Sequence, residues 1–247
     1  MQLRLSFDIF LHYFSISISY LGLCLLPILA FNNPRTSITL INTPLQRTLV
    51  GLIFGGICLF GIMAAIFPSR CSQMLHLGRS KNSLYYRSKN NIREEKMRIR
   101  GHHPTCDNFS GHIIQLGGKT YCAGCLGMII GAVIALLGSL FYFSTGLYLK
   151  EAALIIFWLG FFGVAGGLLH YTLLNLSGIV RLFFNILFVL GSFFLFIGID
   201  MITNNFALDL YVLTLIIYWI IIRIIVSQQR HQKICMFCNL KSCSSHE

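Results

Sequence analysis

One short segment of the chain gathers imidazole and thiol side chains that together have the chemistry of a metal site. It contains a His-x2-Cys pair followed, after 15 residues, by a Cys-x2-Cys pair. A two-residue gap lets one tight turn present both ligands to a single tetrahedral ion, and two such pairs around a spacer of about 12–20 residues are typical of small zinc modules. The predicted ligands are His103, Cys106, Cys122 and Cys125.

The segment that carries these ligands is too small to fold on apolar packing alone. Gly117 and Gly118 supply a turn in the spacer, and the residues on either side of them are expected to pair as a short β-hairpin. Bound zinc contributes about 10–16 kcal/mol of folding free energy in small zinc fingers, which would hold residues 102–126 together. Four protein ligands leave no open position on the ion, so the site is predicted to be structural and the chain is not expected to be a metalloenzyme.

A thiol redox pair is the alternative interpretation of Cys122 and Cys125. The pair lies where a helix is predicted to begin, and the partial positive charge at a helix N-terminus lowers the pKa of a thiol. The upstream His and Cys at ligand spacing favour metal binding over redox chemistry. His102 and His112 are reserve ligands that could replace His103, although His112 is expected at the surface.

The C-terminal tail carries a second and weaker set of candidate metal ligands. Its spacing is Cys-x2-Cys-x4-Cys-x2-His, which also offers four ligands to a tetrahedral ion. This set could bind its own ion, or its first two cysteines could complete a shared site with Cys122 and Cys125. The prediction is therefore one zinc ion or two. The tail set comprises Cys235, Cys238, Cys243 and His246.

The overall composition indicates the surroundings of these sites. Hydrophobic residues make up 55% of the 247 and charged residues only 11%, whereas soluble domains carry about 25% charged residues. So few charges cannot coat a globule in water, and the chain is therefore predicted to be a membrane protein. The net charge of +11 is that of many nucleic-acid-binding proteins, but the charges lie between apolar blocks, so nucleic acid is not an expected partner.

Six apolar blocks are long enough to cross a bilayer, which takes about 20 residues each. We therefore predict an all-α polytopic transmembrane bundle of about six helices with a small zinc-ribbon-like module on its cytoplasmic side. The blocks cover about residues 7–31, 48–67, 124–147, 152–174, 178–199 and 206–226.

The predicted division of the chain follows these blocks and the candidate ligands. The chain is predicted to begin with transmembrane helices one and two, followed by a basic loop and the zinc module. Transmembrane helices three to six and a Cys-rich tail come after the module. The corresponding segments are 1–67, 68–101, 102–126, 124–226 and 227–247.

The distribution of Lys and Arg predicts the orientation of the helices. With six spans, only Arg35, Arg47 and Lys150 of the 19 basic residues fall on one side of the membrane. Because basic residues are enriched in cytoplasmic loops, both termini and the long loop are predicted to be cytoplasmic in a multi-pass protein of the cell membrane. The basic loop is expected to contact anionic lipid headgroups. Cytoplasmic thiols stay reduced, which also favours metal over disulfides.

Ionisable residues at the predicted cytoplasmic ends of the spans indicate a polar vestibule or, in the simpler interpretation, interfacial ion pairs such as Asp8 with Arg181. Asp200 and Asp209 fall at the outer ends of their spans, where we expect them to be solvated. Tyr142 is expected near the outer interface. The residues at the cytoplasmic ends are Asp8, His12, His170, Arg181 and Arg223.

Small residues within the spans predict where the helices pack. Glycines one turn apart let two backbones approach closely, and we expect these contacts inside one bundle rather than between copies. Cys24 and Cys58 lie within spans and are expected to pack as small hydrophobic residues. The glycine pairs are Gly51 with Gly55, Gly127 with Gly131 and Gly163 with Gly167.

The segment also has a family resemblance. It rests on Cys106, Gly118, the run Cys122-Ala-Gly-Cys125-Leu-Gly127 and Gly131. It resembles a prokaryotic, archaeal-type family of multi-pass membrane proteins known only as a domain of unknown function, with a Cys…Cys-x2-Cys-x-Gly signature at the start of a span. Gly124 stands where that family usually has Arg, and Asp107 stands where a His is common. The resemblance implies three cysteines acting together beside a membrane helix and implies no activity.

The sequence therefore predicts a scaffold or partner-recruiting membrane protein with a cytoplasmic structural zinc site and an unknown protein partner. Two alternatives stay open. One is a membrane thiol-disulfide oxidoreductase that uses Cys122 and Cys125, with Cys235 and Cys238 as a relay pair. The other is a transporter or channel with a polar vestibule that opens to the cytoplasm.

Overall fold

The computed structural model of the protein describes residues 2–32, 44–66, 99–100, 103–104, 111–117, 119–145, 150–173 and 177–237. These residues form six long helices and two small antiparallel hairpins. The helices are α1 (Gln2–Asn32), α2 (Pro44–Ile66), α3 (Ala123–Thr145), α4 (Lys150–Leu173), α5 (Gly178–Thr203) and α6 (Phe206–Phe237). The strands are β1 (Ile99–Arg100), β2 (His103–Pro104), β3 (Ile113–Leu116) and β4 (Lys119–Cys122).

All six helices are long and apolar enough to cross a membrane, with candidate spans of 20–26 residues. The prediction of an all-α bundle of six helices is confirmed, and the length and composition of the helices support a multi-pass membrane protein. Two helices extend beyond the predicted apolar blocks. Helix α1 begins at Gln2, and α6 continues to Phe237, into the segment predicted as tail.

Helix α5 is the centre of the bundle. In its apolar window 56% of the residues are buried, against 22% for α2. It packs against α4 on one side and α3 on the other. Gly191 of α5 meets Gly163 of α4 so closely that a Cβ at Gly191 would lie 2.9 Å from the Gly163 Cα. Contacts of this kind join backbones and leave no room for larger residues.

The predicted glycine pairs all contact neighbouring helices of the same chain. Gly127 and Gly131 of α3 pack on α5, and Gly167 of α4 packs on Phe188. A Cβ at Gly51 of α2 would lie 2.8 Å from the ring of Phe143 on α3. The prediction that these glycines serve packing inside the bundle is confirmed for the helices that the structure describes.

Aromatic and aliphatic side chains fill the space between the helices. Trp219, Phe157 and Phe196 are fully buried, and Phe54 of α2 stacks on Phe196 with ring centroids 5.1 Å apart. Cys58 is 5% exposed and packs in this core, as predicted. Cys24 differs from the prediction, because it lies on the exposed outer face of α1, where a membrane would cover it.

Candidate metal centre and its contacts with the bundle

The hairpin formed by β3 and β4 leads directly into the Cys-x2-Cys pair of the predicted metal site. Its register pairs Leu116 with Lys119 and Ile113 with Cys122, so two residues form the turn. Gly117 has a φ of 55°, in the left-handed region that glycine adopts without strain. The predicted hairpin and its glycine turn are both confirmed. Because α3 begins directly after Cys122, the hairpin continues into the third span without a linker.

Cys122 and Cys125 lie at the junction of the hairpin and α3. Cys122 is the last residue of β4 and Cys125 is the third residue of α3. Both side chains are half-buried, and no disulfide joins them. A Cβ at Gly124 would lie 3.9 Å from the Cys122 sulfur and 4.0 Å from the Asn185 amide nitrogen. Both distances are ordinary van der Waals contacts, and they show that Gly124 lies between the first thiol and Asn185 of α5.

The other predicted ligands are described only in part. His103 lies in β2, where it pairs with Arg100 of β1. Cys106 lies outside the described residues, as do Cys238, Cys243 and His246, while Cys235 lies in the last turns of α6. Among the residues that the structure describes, no three His, Cys, Asp or Glu side chains gather into a group that could hold an ion. Convergence of His103 and Cys106 on the thiol pair stays a prediction.

His112 is not a surface residue, and on this point the prediction was wrong. The side chain is 9% exposed because it packs beneath the hairpin against the first turn of α5. The Arg181 guanidinium contacts both ring nitrogens, with Nη1 lying 3.1 Å from Nε2. His112 therefore links the hairpin to the bundle. The sequence holds no local signal for this contact, because His112 and Arg181 are 69 residues apart.

The contact continues inward as a chain of buried polar groups. The Asn185 amide donates a hydrogen bond of 2.5 Å to the backbone carbonyl of Arg181, and Arg223 of α6 donates to the Asn185 carbonyl oxygen. Asn185 is 1% exposed and Arg223 is 7% exposed. We call His112, Arg181, Asn185 and Arg223 the cationic cluster. It joins the hairpin, α5 and α6 at one end of the bundle, where the polar vestibule was predicted.

Two glycines allow the hairpin and α3 to approach the start of α5. A Cβ at Gly178 would lie 2.7 Å from the carbonyl oxygen of Ile113 in β3. A Cβ at Gly127 would lie 2.6 Å from the carbonyl oxygen of Leu182 and 2.8 Å from the Asn185 Cβ. Any side chain at these two positions would push the module away from α5, so the position of the candidate metal centre depends on them.

At the opposite end of the bundle Asp200 is buried, so the prediction that it is solvated was wrong. Its side chain is 2% exposed, accepts a hydrogen bond of 2.5 Å from the Tyr142 hydroxyl and pairs with Arg47 at 3.2 Å. The Arg47 guanidinium also lies over the Tyr142 ring, 5.6 Å from its centroid. We call Arg47, Tyr142 and Asp200 the paired cluster. Tyr142 is 4% exposed, so its side chain packs inside the bundle.

Two further ionisable residues are buried within the helices. Asp209, at the start of α6, has 0% exposure, so its predicted solvation was wrong as well. His170 of α4 is 1% exposed and stacks on Phe184 of α5 with ring centroids 5.2 Å apart. The predicted pair of Asp8 with Arg181 involves a side chain outside the described part of the chain, and Arg181 contacts His112.

No family model matches this chain, and neither a curated protein nor a solved structure is significantly similar to it.

Proposed function

We propose that this chain is a multi-pass membrane protein in which residues 102–126 form a structural zinc module that braces the start of α3, and that it acts as a scaffold or recruits a partner protein. One observation carries the proposal. The hairpin delivers Cys122 to the residue before α3, and Cys125 follows within the first turn. A Cys-x2-Cys pair at the end of a hairpin is a common half of a structural zinc site.

The chemistry of the junction fits zinc. Thiolates are preferred zinc ligands, and Cys122 and Cys125 lie three residues apart at the end of β4 and the start of α3. His103 and Cys106 would supply the remaining two ligands. When bound, zinc would supply folding free energy to a segment with almost no apolar core of its own. Its structural effect would reach the bundle through His112 and Gly178, which hold the hairpin against α5.

The proposed orientation places the zinc module and both termini in the cytoplasm of a cell-membrane protein. The excess of Lys and Arg on the module side supports it. Arg181 and Arg223 lie at the module end of the bundle, while Arg47 lies at the other end. The basic loop 68–101 would then face the anionic headgroups of the inner leaflet.

Two separate ions suit this geometry better than one shared ion. Arg223 of α6 donates a hydrogen bond to Asn185, and Asn185 lies close to the Cys122–Cys125 junction. Cys235 lies 12 residues further along α6, or about 18 Å along a helix axis that rises 1.5 Å per residue. A tail site of Cys235, Cys238, Cys243 and His246 would therefore hold its own ion, away from the bundle.

Elemental analysis of the purified chain, combined with thiol counting before and after chelation, tests the proposal. We expect about one zinc per chain from the module, and a second if the tail also binds. Cys122→Ser and Cys125→Ser should each lose the module zinc, because a tetrahedral site tolerates the loss of a ligand poorly. Cys24→Ser is the matched control, since Cys24 lies on the outer face of α1. It should keep its zinc.

The oxidoreductase alternative makes the opposite prediction. It is favoured by the position of Cys122 and Cys125 at the N-terminus of α3, where a thiol is activated. Metal-free protein in which these two thiols are alkylated rapidly and form a reversible disulfide would overturn the zinc proposal and support the redox function. Membership of the archaeal-type family with the Cys…Cys-x2-Cys-x-Gly signature is part of the same proposal, and zinc binding by a protein of that family would support it.

A further inference from the structure

The β3–β4 hairpin has one apolar face. Its register sets Ile114 of β3 directly opposite Tyr121 of β4, and Leu116 follows two residues after Ile114. Opposed residues of an antiparallel pair lie on the same side of the sheet, and successive residues of a strand alternate between the two sides. Ile114, Leu116 and Tyr121 therefore share one side, which we call the apolar face, while Gln115 lies on the other.

The apolar face is largely uncovered by the described part of the chain. Leu116 is 52% exposed and Tyr121 is 40% exposed. Only the base of the face is packed, where the Ile114 side chain would lie 3.3 Å from a Cβ at Gly178 of α5. The next residue of α5, Ile179, is 74% exposed. Exposed apolar side chains therefore begin on the hairpin and continue on the first turn of a transmembrane helix.

The hairpin lies at the level where two spans begin. One candidate span starts at Ala123, directly after β4, and another starts at Gly178, which meets the carbonyl oxygen of Ile113 in β3. Helix α3 has 23 residues and is therefore about 35 Å long at 1.5 Å per residue. Because the hydrocarbon core is only about 30 Å thick, the start of α3 lies at its boundary. The hairpin then lies in the adjoining headgroup layer.

This depth identifies what covers the apolar face. In a two-stranded sheet the outer backbone groups of both strands have no strand partner, so they need water, which the headgroup layer contains and the hydrocarbon core lacks. The same layer favours tyrosine, whose ring is apolar and whose hydroxyl is polar. A partner protein could reach the apolar face only by displacing the lipid that lies at the same depth.

We infer that the β3–β4 hairpin is an interfacial anchor whose apolar face lies on the phospholipids of the leaflet at the module end. Leu116 contacts the upper acyl chains and Tyr121 lies among the headgroups. Cys122 shares the opposite face with Gln115, so this candidate metal ligand stays on the side away from the lipid. The leaflet gives the hairpin a second supporting surface besides α5, because a two-stranded hairpin alone is marginally stable in water.

The inference rests on the transmembrane bundle and not on zinc. A metal-free protein whose hairpin contacts lipid would leave the anchor intact, and a zinc-loaded protein whose hairpin does not contact lipid would overturn the anchor alone.

Photo-crosslinking in a membrane of known composition tests the anchor. In the full chain, p-benzoylphenylalanine is placed at Tyr121, Leu116 or Gln115, one position at a time, and each protein is reconstituted into nanodiscs of phosphatidylethanolamine and phosphatidylglycerol. Mass spectrometry after irradiation measures the fraction of chains that carry a lipid adduct. We expect lipid adducts at Tyr121 and Leu116, as at Phe162, which is 65% exposed within the span of α4. Gln115, the matched control on the opposite face, should give several times fewer.

A second variant tests whether apolar contact holds the hairpin on the leaflet. Leu116→Asp, combined with the photolabel at Tyr121, should lower the lipid adduct about three- to tenfold, which corresponds to withdrawing about half of a leucine side chain from an apolar environment. Gln115→Asp puts the same charge on the other face and should leave the yield unchanged.

Four results would overturn the inference. They are a lipid yield at Tyr121 no higher than at Gln115, crosslinks to a second copy of the chain in place of lipid, a yield that Leu116→Asp leaves unchanged, and an equal loss with Gln115→Asp. If the label at Tyr121 prevents folding, the comparison of Leu116 with Gln115 decides the question.

Discussion

The two ends of the bundle bury charge in opposite ways. The paired cluster sets Arg47 against Asp200 and completes the carboxylate with the Tyr142 hydroxyl. The cationic cluster links two arginines through the neutral amide of Asn185 and one histidine. Within its own side chains the first cluster is close to neutral, and the second is positive.

The difference indicates different tasks for the two ends. The neutral buried pair joins α2, α3 and α5. The cationic cluster instead joins the hairpin, α5 and α6 through contacts of Arg181 with His112 and of Arg223 with Asn185. The candidate zinc module lies at the end of the bundle that carries the cationic cluster.

The largest effect is expected at the paired cluster. Arg47→Met leaves the carboxylate of Asp200 buried without its cation, which should destabilise the protein by about 3–5 kcal/mol. Unfolding in detergent, followed by circular dichroism, would measure the loss. The double variant Arg47→Met/Asp200→Leu should recover most of it, because apolar replacement of a buried pair is often neutral. A double variant as unstable as the single one would show that the pair does not fasten this end.

The next effect concerns the close contact of α3 with α5, on which the cationic cluster depends. Gly127→Ala forces its Cβ against the Leu182 carbonyl and should cost about 1–3 kcal/mol. Gly56→Ala is the matched control, because a Cβ there meets nothing within 4 Å, and it should be neutral or slightly stabilising. Equal thermal stability of the two variants would contradict the packing of α3 on α5.

Substitutions at Asn185 test the local charge at the end of the bundle that carries the cationic cluster. Asn185→Leu removes the hydrogen bonds to the Arg181 carbonyl and to Arg223, and it should cost about 1–3 kcal/mol. Asn185→Asp keeps the acceptor for Arg223 and adds a negative charge between two arginines. It should therefore be less destabilising than Asn185→Leu in the same unfolding assay. The reverse order would mean that this end of the bundle is not electrostatically positive.

The smallest effect is expected where the hairpin meets the bundle. His112→Ala removes the contact with Arg181 and should cost about 0.5–1.5 kcal/mol, mostly from local opening of the hairpin. Hydrogen exchange of the amides of β3 and β4 would detect this opening, and exchange in α4 should not change. Unaltered exchange in the hairpin would show that Gly178 and α3 hold it without His112.

The helices and the hairpin were predictable because their signals are local. Apolar stretches of about 20 residues identify spans however the helices pack against one another. The glycine turn between two alternating segments identifies β3 and β4. Gly127 and Gly163 were found as packing sites because small residues one turn apart have few other uses inside an apolar helix.

The polar clusters could not be predicted because their partners are far apart in sequence. Asp200 meets Arg47 across 153 residues, and Arg223 meets Asn185 across 38. A position near the end of a span predicts solvation by default, and only the arrangement of helices reveals that Asp200, Asp209 and His112 are covered. The candidate metal ligands were predictable only in part. Their spacing can be read from the sequence, whereas their distances from one another depend on the fold.

The absence of a linker between β4 and α3 has a mechanical consequence. A load applied to the hairpin, such as the pull of a docked partner, acts directly along the axis of the third helix. Because Gly127 locks that helix against Leu182, the load passes to α5 and from there to both neighbours of α5. A partner that binds the hairpin is therefore connected mechanically to the helices at the centre of the bundle.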